Sequence, residues 1–281
     1  MLRLGVQVSI SGRIYQAVDR AAALGCNTLQ IFSRNPRAFR KKPLNRADAR
    51  EFRKRREKAG LFPLVIHSVY TQNLASASKR FHGVSIRDFI KDLGEAKALG
   101  ADLVVTHTGS FKRSTYEKGI MRVIEALEVI LKKTPEGITV LLENTSGSGH
   151  WLGHRFSQLA YIMEKVGKPK NLGICLDTCH AFSAGYNIRE QEGLGKLVTE
   201  IESLIGLERL KLIHLNDTRD RLGSRRDRHW HIGQGQIGED GLSRIINHPK
   251  LRDLPFILET PKRADEDDLS NLETVRRLYE G

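Results

Sequence analysis

Short runs rich in β-branched and aliphatic residues recur along the whole chain, each separated from the next by a longer stretch with helical periodicity. Runs of that length read as buried strands, and the amphipathic stretches between them as helices. The strand candidates are Leu2–Val8, Thr28–Phe32, Leu64–His67, Leu103–His107, Thr139–Glu143, Gly173–Asp177, Leu210–Leu215 and Phe256–Glu259. The helical candidates are Arg13–Leu24, Ala47–Ala59, Ser85–Leu99, Thr115–Lys132, Phe156–Val166, Leu194–Ile205, Gly241–Asn247 and Leu269–Tyr279. Asn45 and Ser114 stand where N-caps are expected. No low-complexity tract or Pro/Gly-rich linker interrupts the alternation, so one domain is expected over residues 1–281. Eight βα units match a single-domain (β/α)8 TIM barrel, a fold that commonly fills this length. A doubly wound open sheet shares the alternation, and the count of units does not separate the two.

The strand ends sharpen the choice. His67, His107, Glu143, Asp177, His214 and Glu259 lie at or beside the C-terminal ends of six successive strand candidates. A lone His at a strand end is ordinarily a cap or a satisfied core residue. In a barrel, however, all such ends converge on one face, and residues as distant as 67 and 259 then meet in one pocket. Loops after the sixth and seventh strands add His180, three positions after Asp177, and the pair Asp227 and His229 that flanks Arg228. Imidazole and carboxylate without a thiolate form the ligand set of Zn²⁺ or Mn²⁺ at a hydrolytic site. Nine candidates exceed the four or five ligands of one zinc, so two or three ions sharing a bridging carboxylate are expected. Cys175 and Cys179 are spaced CxxxC with no second pair, and both stay outside the expected ligand set.

The 46 Lys and Arg against 33 Asp and Glu leave a net charge of +13, which makes a polyanion a candidate partner. The loop from Ser33 to Lys42 follows the second strand, on the face where the ligands gather, and carries Arg34, Arg37, Arg40, Lys41 and Lys42 with Phe39. Guanidinium groups bind phosphate bidentately, and Tyr70 in the next loop offers a ring for stacking. The competing reading is a solvated basic loop. Three cysteines make no disulfide framework, the opening MLRLGVQVSIS is too short for a signal peptide, and no stretch approaches a membrane span. A cytoplasmic protein with no membrane partner is expected. Gly233, Gly235 and Gly238 spell GxGxxG, but they follow a His-rich loop late in the chain rather than an early strand. A tight loop leading into the seventh helix is expected there, with a helix N-terminus that could approach a phosphate.

These residues carry a family resemblance. Asn35-x-Arg37, His67-x-x-Tyr70 with Asn73-Leu74, His107-x-Gly109-Ser110, Glu143-Asn144-Thr145, Leu176-Asp177-Thr178-Cys179-His180, His214-Leu215-Asn216-Asp217, Asp227-Arg228-His229, His231-Ile232-Gly233-x-Gly235 and Leu258-Glu259-Thr260 occur in this order. With them the chain resembles endonuclease IV, the zinc-dependent class of apurinic/apyrimidinic endonuclease, from end to end. The resemblance implies three Zn²⁺ ions held by His67, His107, Glu143, Asp177, His180, His214, Asp227, His229 and Glu259. Glu143, the expected catalytic residue, would bridge two ions; Asp177, His214 and Glu259 would complete the second; His180, Asp227 and His229 would hold the third. Arg37, Tyr70, Asn35 and Arg228 would contact double-stranded DNA, with Arg37 and Tyr70 entering the duplex at the lesion. The implied reaction is hydrolysis of the phosphodiester 5′ to an abasic site by zinc-activated water, leaving a 3′-hydroxyl and a 5′-deoxyribose phosphate, with trimming of 3′ ends. A monomer in the cytoplasm, associated with the nucleoid of a prokaryote, would be its setting.

Where relatives carry His in the first strand and Pro after the fourth-strand His, this chain has Gln7 and Thr108, and Thr71 follows Tyr70 at a place often apolar. Gln7 can donate a hydrogen bond but cannot act as an imidazole acid. The runner-up reading is a sugar isomerase or epimerase on the same barrel, which uses a set like Glu143, Asp177, His214 and Glu259 with Mn²⁺ or Mg²⁺. The additional histidines and the cationic loop favour several zincs and a polyanionic substrate.

Overall fold

The computed structural model describes residues 1–32, 34, 44–264 and 266–281. In chain order the elements are β1 (Arg3–Val8), α1 (Gln16–Ala23), β2 (Leu29–Phe32), α2 (Arg46–Ala59), β3 (Leu64–His67), α3 (Lys79–Leu99), β4 (Leu103–His107), α4 (Tyr116–Lys132), β5 (Thr139–Glu143), α5 (Phe156–Lys165), β6 (Leu172–Asp177), α6 (Thr178–Ala184), α7 (Gln191–Leu204), β7 (Leu210–His214), β8 (Asp217–Thr218), β9 (His229–Trp230), α8 (Gly238–Ile246), β10 (Pro255–Leu258) and α9 (Asp267–Leu278). Strands β1 to β7 and β10 close in chain order into a barrel whose strand pairs are all parallel. The closure excludes the open sheet and establishes the (β/α)8 barrel. Gly5 makes part of the closure possible, because a Cβ there would run into the carbonyl of Thr28, just ahead of β2.

Side chains on a strand alternate between its two faces, and this alternation builds both core and site. Val65, Leu103, Val105, Leu141, Cys175, Leu212 and Ile257 point inward and pack a small core inside the barrel. Ile66, Val104, Leu142, Ile174 and Ile213 point outward into a larger core with Phe52, Phe89, Leu127 and Leu159 of the helices. Burying each such side chain stabilises the fold by about 1.5–3 kcal/mol. Two residues beyond the inner core, the same face presents His67, His107, Glu143, Asp177, His214 and Glu259. The strand register then aligns them, with His107 opposite Glu143 and Asp177 opposite His214.

Local signals account for most boundaries. The Asn45 side chain caps α2, accepting from Ala47 N at 2.8 Å. At α4 the cap is Thr115, which accepts from Lys118 N at 3.3 Å, while Ser114 Oγ accepts from Arg122 at 3.0 Å. Helix α3 starts at Lys79 rather than Ser85: Ser78 caps it, and Ser85 Oγ donates back to Phe81 O, so a first turn containing His82 and Gly83 is held without a clear apolar stripe. Helix α6, strands β8 and β9 and the 3-10 turn Leu207–Arg209 lie outside the sequence-based expectation. Helix α6 is buried on every side and so has no amphipathic period, and β8 and β9 are too short to show any. Among the described residues, no helix is long and apolar enough to cross a membrane.

Candidate metal centre

All nine predicted ligands stand at the C-terminal mouth of the barrel. The Glu143 carboxylate, fully buried at the end of β5, lies at their centre. Its oxygens lie 3.0 Å from His67 Nε2, 3.2 Å from His214 Nδ1, 3.3 Å from His180 Nδ1 and 3.5 Å from His107 Nε2. Asp177 ends β6 and also caps α6: its Oδ1 accepts from His180 N at 2.7 Å, which fixes the helix that carries His180. Asp227 and His229 reach the cluster on the β8–β9 hairpin, whose strands pair Asp217 with Trp230 and Thr218 with His229. Asp227 Oδ1 is 3.2 Å from His180 Nε2 and 3.4 Å from His229 Nε2. Glu259 follows β10 and places Oε2 3.5 Å from His214 Nδ1.

The donor atoms fall into overlapping groups whose members lie within 4.8 Å of one another: His67, His107 and Glu143; Glu143, Asp177, His214 and Glu259; His180, Asp227 and His229. Glu143 belongs to two of them. Cys179 comes within the same reach of Asp177 and His229. Burial pushes the Cys175 and Cys179 thiols up to about 12, so both stay protonated, and Cys175 belongs to the inner barrel core.

Electrostatics shows how much this pocket requires a cation. Burial would discharge His180, yet Asp177 and Asp227 outweigh it and hold its pKa well above the ordinary imidazole value. Burial likewise opposes charge on His214, but the Cys175 sulfur and the Glu259 and Glu143 carboxylates raise its pKa well above normal. Glu143 is drawn well below the carboxylate range, since His107 and His214 overcome the cost of its burial. The buried carboxylates thus favour positive charge on the imidazoles between them. A divalent cation supplies positive charge on one centre, and oxygen and imidazole nitrogen are the donors Zn²⁺ takes. The residues fit a metal.

Polar residues surrounding the donors set their orientation. His67 Nδ1 donates to Ser68 O at 2.7 Å, His180 Nδ1 to Asn144 O at 2.9 Å and His229 Nδ1 to Glu259 O at 3.1 Å. His214 donates through Nε2 to Gln30 Oε1 at 2.8 Å, and Gln30 Nε2 donates to Glu259 Oε1 at 2.5 Å. Asn216 donates to Asp177 Oδ2 at 2.7 Å and accepts from Glu259 N at 2.8 Å. Asn144 donates to Asp177 O at 3.0 Å and accepts from Asp177 N at 2.7 Å. Sequence reasoning assigned no role to Gln30, Asn144 or Asn216. Gln30 had a signal, a lone amide inside the apolar run Leu-Gln-Ile-Phe.

The GxGxxG segment does lead into α8, but the anion it holds is the chain's own. The buried Asp217 carboxylate accepts from the backbone N–H groups of Gly235 at 2.9 Å, Ile237 at 2.9 Å and Gly238 at 3.2 Å, and from Thr218 N at 2.8 Å. A Cβ at Gly235 would collide with Asp217 and Thr218, which explains the middle glycine. A phosphate therefore finds these donors already engaged.

Of the predicted DNA-contact residues, Tyr70 is 61% exposed at the mouth, its ring nearly parallel to His107 with centroids 6.5 Å apart. Arg228 is half exposed beside Asp227, its guanidinium gripping Asp220 through Nε at 2.6 Å and through Nη2. Asn35 and Arg37 lie outside the described residues, as does the rest of the cationic loop except Arg34, which faces Asp88 at 3.4 Å.

Residues 18–279 match the family model described as xylose isomerase-like TIM barrel. Barrel closure and this match thus define the class. Within it, the chain is 42% identical over 277 residues to a probable endonuclease 4 of Halothermothrix orenii, covering 98% of this chain and all of the relative. A probable endonuclease 4 of Methanosphaerula palustris is 42% identical over 281 residues, covering 99% of this chain and 98% of the relative. The crystal structure of endonuclease IV from Thermus thermophilus superposes with a TM-score of 0.86 at 39% identity, covering 98% of both chains. A D-tagatose 3-epimerase-like protein superposes with a TM-score of 0.72 at 19% identity over 99% of this chain and 97% of its own, and shares the fold alone. The chain belongs to the endonuclease IV family.

Proposed function

We propose that the chain, acting as one domain and as a monomer, hydrolyses the phosphodiester 5′ to abasic sites in double-stranded DNA, leaving a 3′-hydroxyl and a 5′-deoxyribose phosphate, and also trims 3′ ends. The carrying observation is the buried Glu143 carboxylate within 3.0–3.5 Å of four histidines, where two of the donor groups meet. Three Zn²⁺ ions would be held by His67, His107 and Glu143; by Glu143, Asp177, His214 and Glu259; and by His180, Asp227 and His229. Bound zinc lowers the pKa of water to about 7 and stabilises charge on the attacking and leaving oxygens of an in-line displacement. The chain's own contribution is rigidity. Gln30 and Asn216 fix the orientations of His214, Glu259 and Asp177, so little reorganisation is left for the moment of reaction.

Tyr70, Arg37, Asn35 and Arg228 are assigned to the DNA, and the net charge of +13 supports a polyanionic partner. An abasic nucleotide has no base to unstack, so turning it toward the metals costs less than flipping an intact nucleotide, and selectivity follows without base-edge contacts. Phosphate contacts make the affinity fall with salt. The proposal sets the chain in the cytoplasm, associated with the nucleoid of a prokaryote.

The test is a duplex carrying a tetrahydrofuran abasic analogue, which β-elimination cannot cut. Zinc-loaded protein should incise it 5′ to the lesion, leave the undamaged duplex intact and lose activity on chelation. No incision with zinc present would overturn the proposal. Glu143, Asp177, His214 and Glu259, within 4.8 Å of one another, also suit a sugar isomerase or epimerase. One Mn²⁺ per chain with turnover of a ketose would favour that reading.

A further inference from the structure

Four of the five imidazoles in the cluster are oriented by a hydrogen bond from the ring nitrogen facing away from the donor group, as given above for His67, His180, His214 and His229. His107 differs. Its Nε2 faces Glu143, while its Nδ1 is buried and bonded by none of the described residues. Ring packing holds the imidazole instead. Trp151 packs against it in a T-shaped pair with centroids 5.7 Å apart at 71°, and Tyr70 lies nearly parallel to it with centroids 6.5 Å apart.

Trp151 is itself held in place. Directly after His107, Ser110 forms an antiparallel bridge with Trp151, Phe111 N donates to His150 O at 3.1 Å, and Leu152 N donates to Gly109 O at 2.9 Å. The Thr108 hydroxyl adds a bond to Leu152 O at 2.7 Å. The segment carrying Trp151 is thereby zipped to the residues that leave β4, so the indole has a fixed place against the imidazole.

We infer that Trp151 is a positioning residue for His107, and that the ion bound by His67, His107 and Glu143 is consequently the first of the cluster to be released. This rests on the metal reading proposed above. To bind a metal through Nε2, His107 must carry its proton on Nδ1. With no acceptor there, the binding tautomer buries an unpaired N–H, a penalty the other four imidazoles avoid. Edge-to-face packing against Trp151 sets the tilt of the ring but selects no tautomer.

The experiment titrates zinc-loaded full-length protein with a competing chromophoric chelator and counts the ions released, for wild type, Trp151→Ala and Trp151→Phe. Wild type should lose one ion ahead of the others. In Trp151→Ala that ion should bind about 10- to 100-fold more weakly, the range found when a group orienting a metal ligand is removed, while the remaining ions keep wild-type affinity. Trp151→Phe should recover most of the loss, because it retains an aromatic ring against the imidazole. Cobalt substitution gives a second readout, with altered visible absorption for one ion only. Unchanged affinities in Trp151→Ala, or equal weakening of every ion, would overturn the inference while leaving the metal reading intact. Wild-type protein that takes up no zinc overturns both.

Discussion

Replacing Asn216 with Leu keeps the volume of a buried side chain and removes two hydrogen bonds, the donation to Asp177 Oδ2 at 2.7 Å and the acceptance from Glu259 N at 2.8 Å. Both partners are predicted ligands, or the backbone of one. A hydrogen bond to a charged group contributes about 1.5–3 kcal/mol, and leaving the Glu259 N–H unpaired costs about 1–3 kcal/mol more. The first term falls on the orientation of Asp177 and sets the expected loss of metal affinity. At 1.4 kcal/mol per tenfold, it corresponds to roughly 10- to 100-fold. The second falls on the fold and should appear as reduced stability of the metal-free protein in urea. Competition with a chromophoric chelator measures the first, and the loss should concentrate on the ion that Asp177 shares with Glu143, His214 and Glu259. A change of less than threefold would refute the idea that Asn216 holds Asp177 in its binding geometry. Weakening confined to the ion at His67 and His107 would refute the assignment of ligands to ions.

Two further outcomes can be checked. In the metal-free protein the raised pKa values of His180 and His214 contribute stability that is complete below the unfolded value of about 6.5 and is lost as pH rises through the folded values. The depressed pKa values of Glu143 and Asp227 contribute above the ordinary carboxylate range and are lost as pH falls through the folded values. Metal-free protein should therefore melt highest between about pH 4.5 and 6.5, and zinc, which must displace those protons, should move the optimum upward; an optimum unmoved by zinc refutes this coupling. Phe256→Ala, at a fully buried position on β10, should cost about 3–5 kcal/mol in urea unfolding, and a cost below 1 kcal/mol would mean that the core does not depend on it.

The barrel was legible because short β-branched and aliphatic runs alternate with amphipathic stretches along the whole chain, and the nine candidate ligands were legible because six of them sit where those apolar runs end. The surrounding polar residues were harder to read. Asn144 and Asn216 adjoin ligands in sequence, but the groups they bond belong to neighbouring strands, so their role depends on the closure that brings β5, β6, β7 and β10 side by side. Asp217 shows the same limit. Its partners are glycine-loop N–H groups far along the chain, and the loop read alone resembles a seat for an external phosphate. Trp151 left no mark at all, because its relation to His107 arises from a short ladder between two loops.

The alternation that sorts inner core from mouth also governs which changes the chain can survive. Deleting one residue from β5 ahead of Glu143 would turn Leu142 into the barrel interior and the carboxylate toward the helices, removing the candidate ligand and leaving a charge in the outer core at one stroke. Drift by insertion or deletion in these strands therefore cannot erase the chemistry and spare the scaffold. The loops beyond the strand ends are free of that coupling, and length variation within the family has its natural home there.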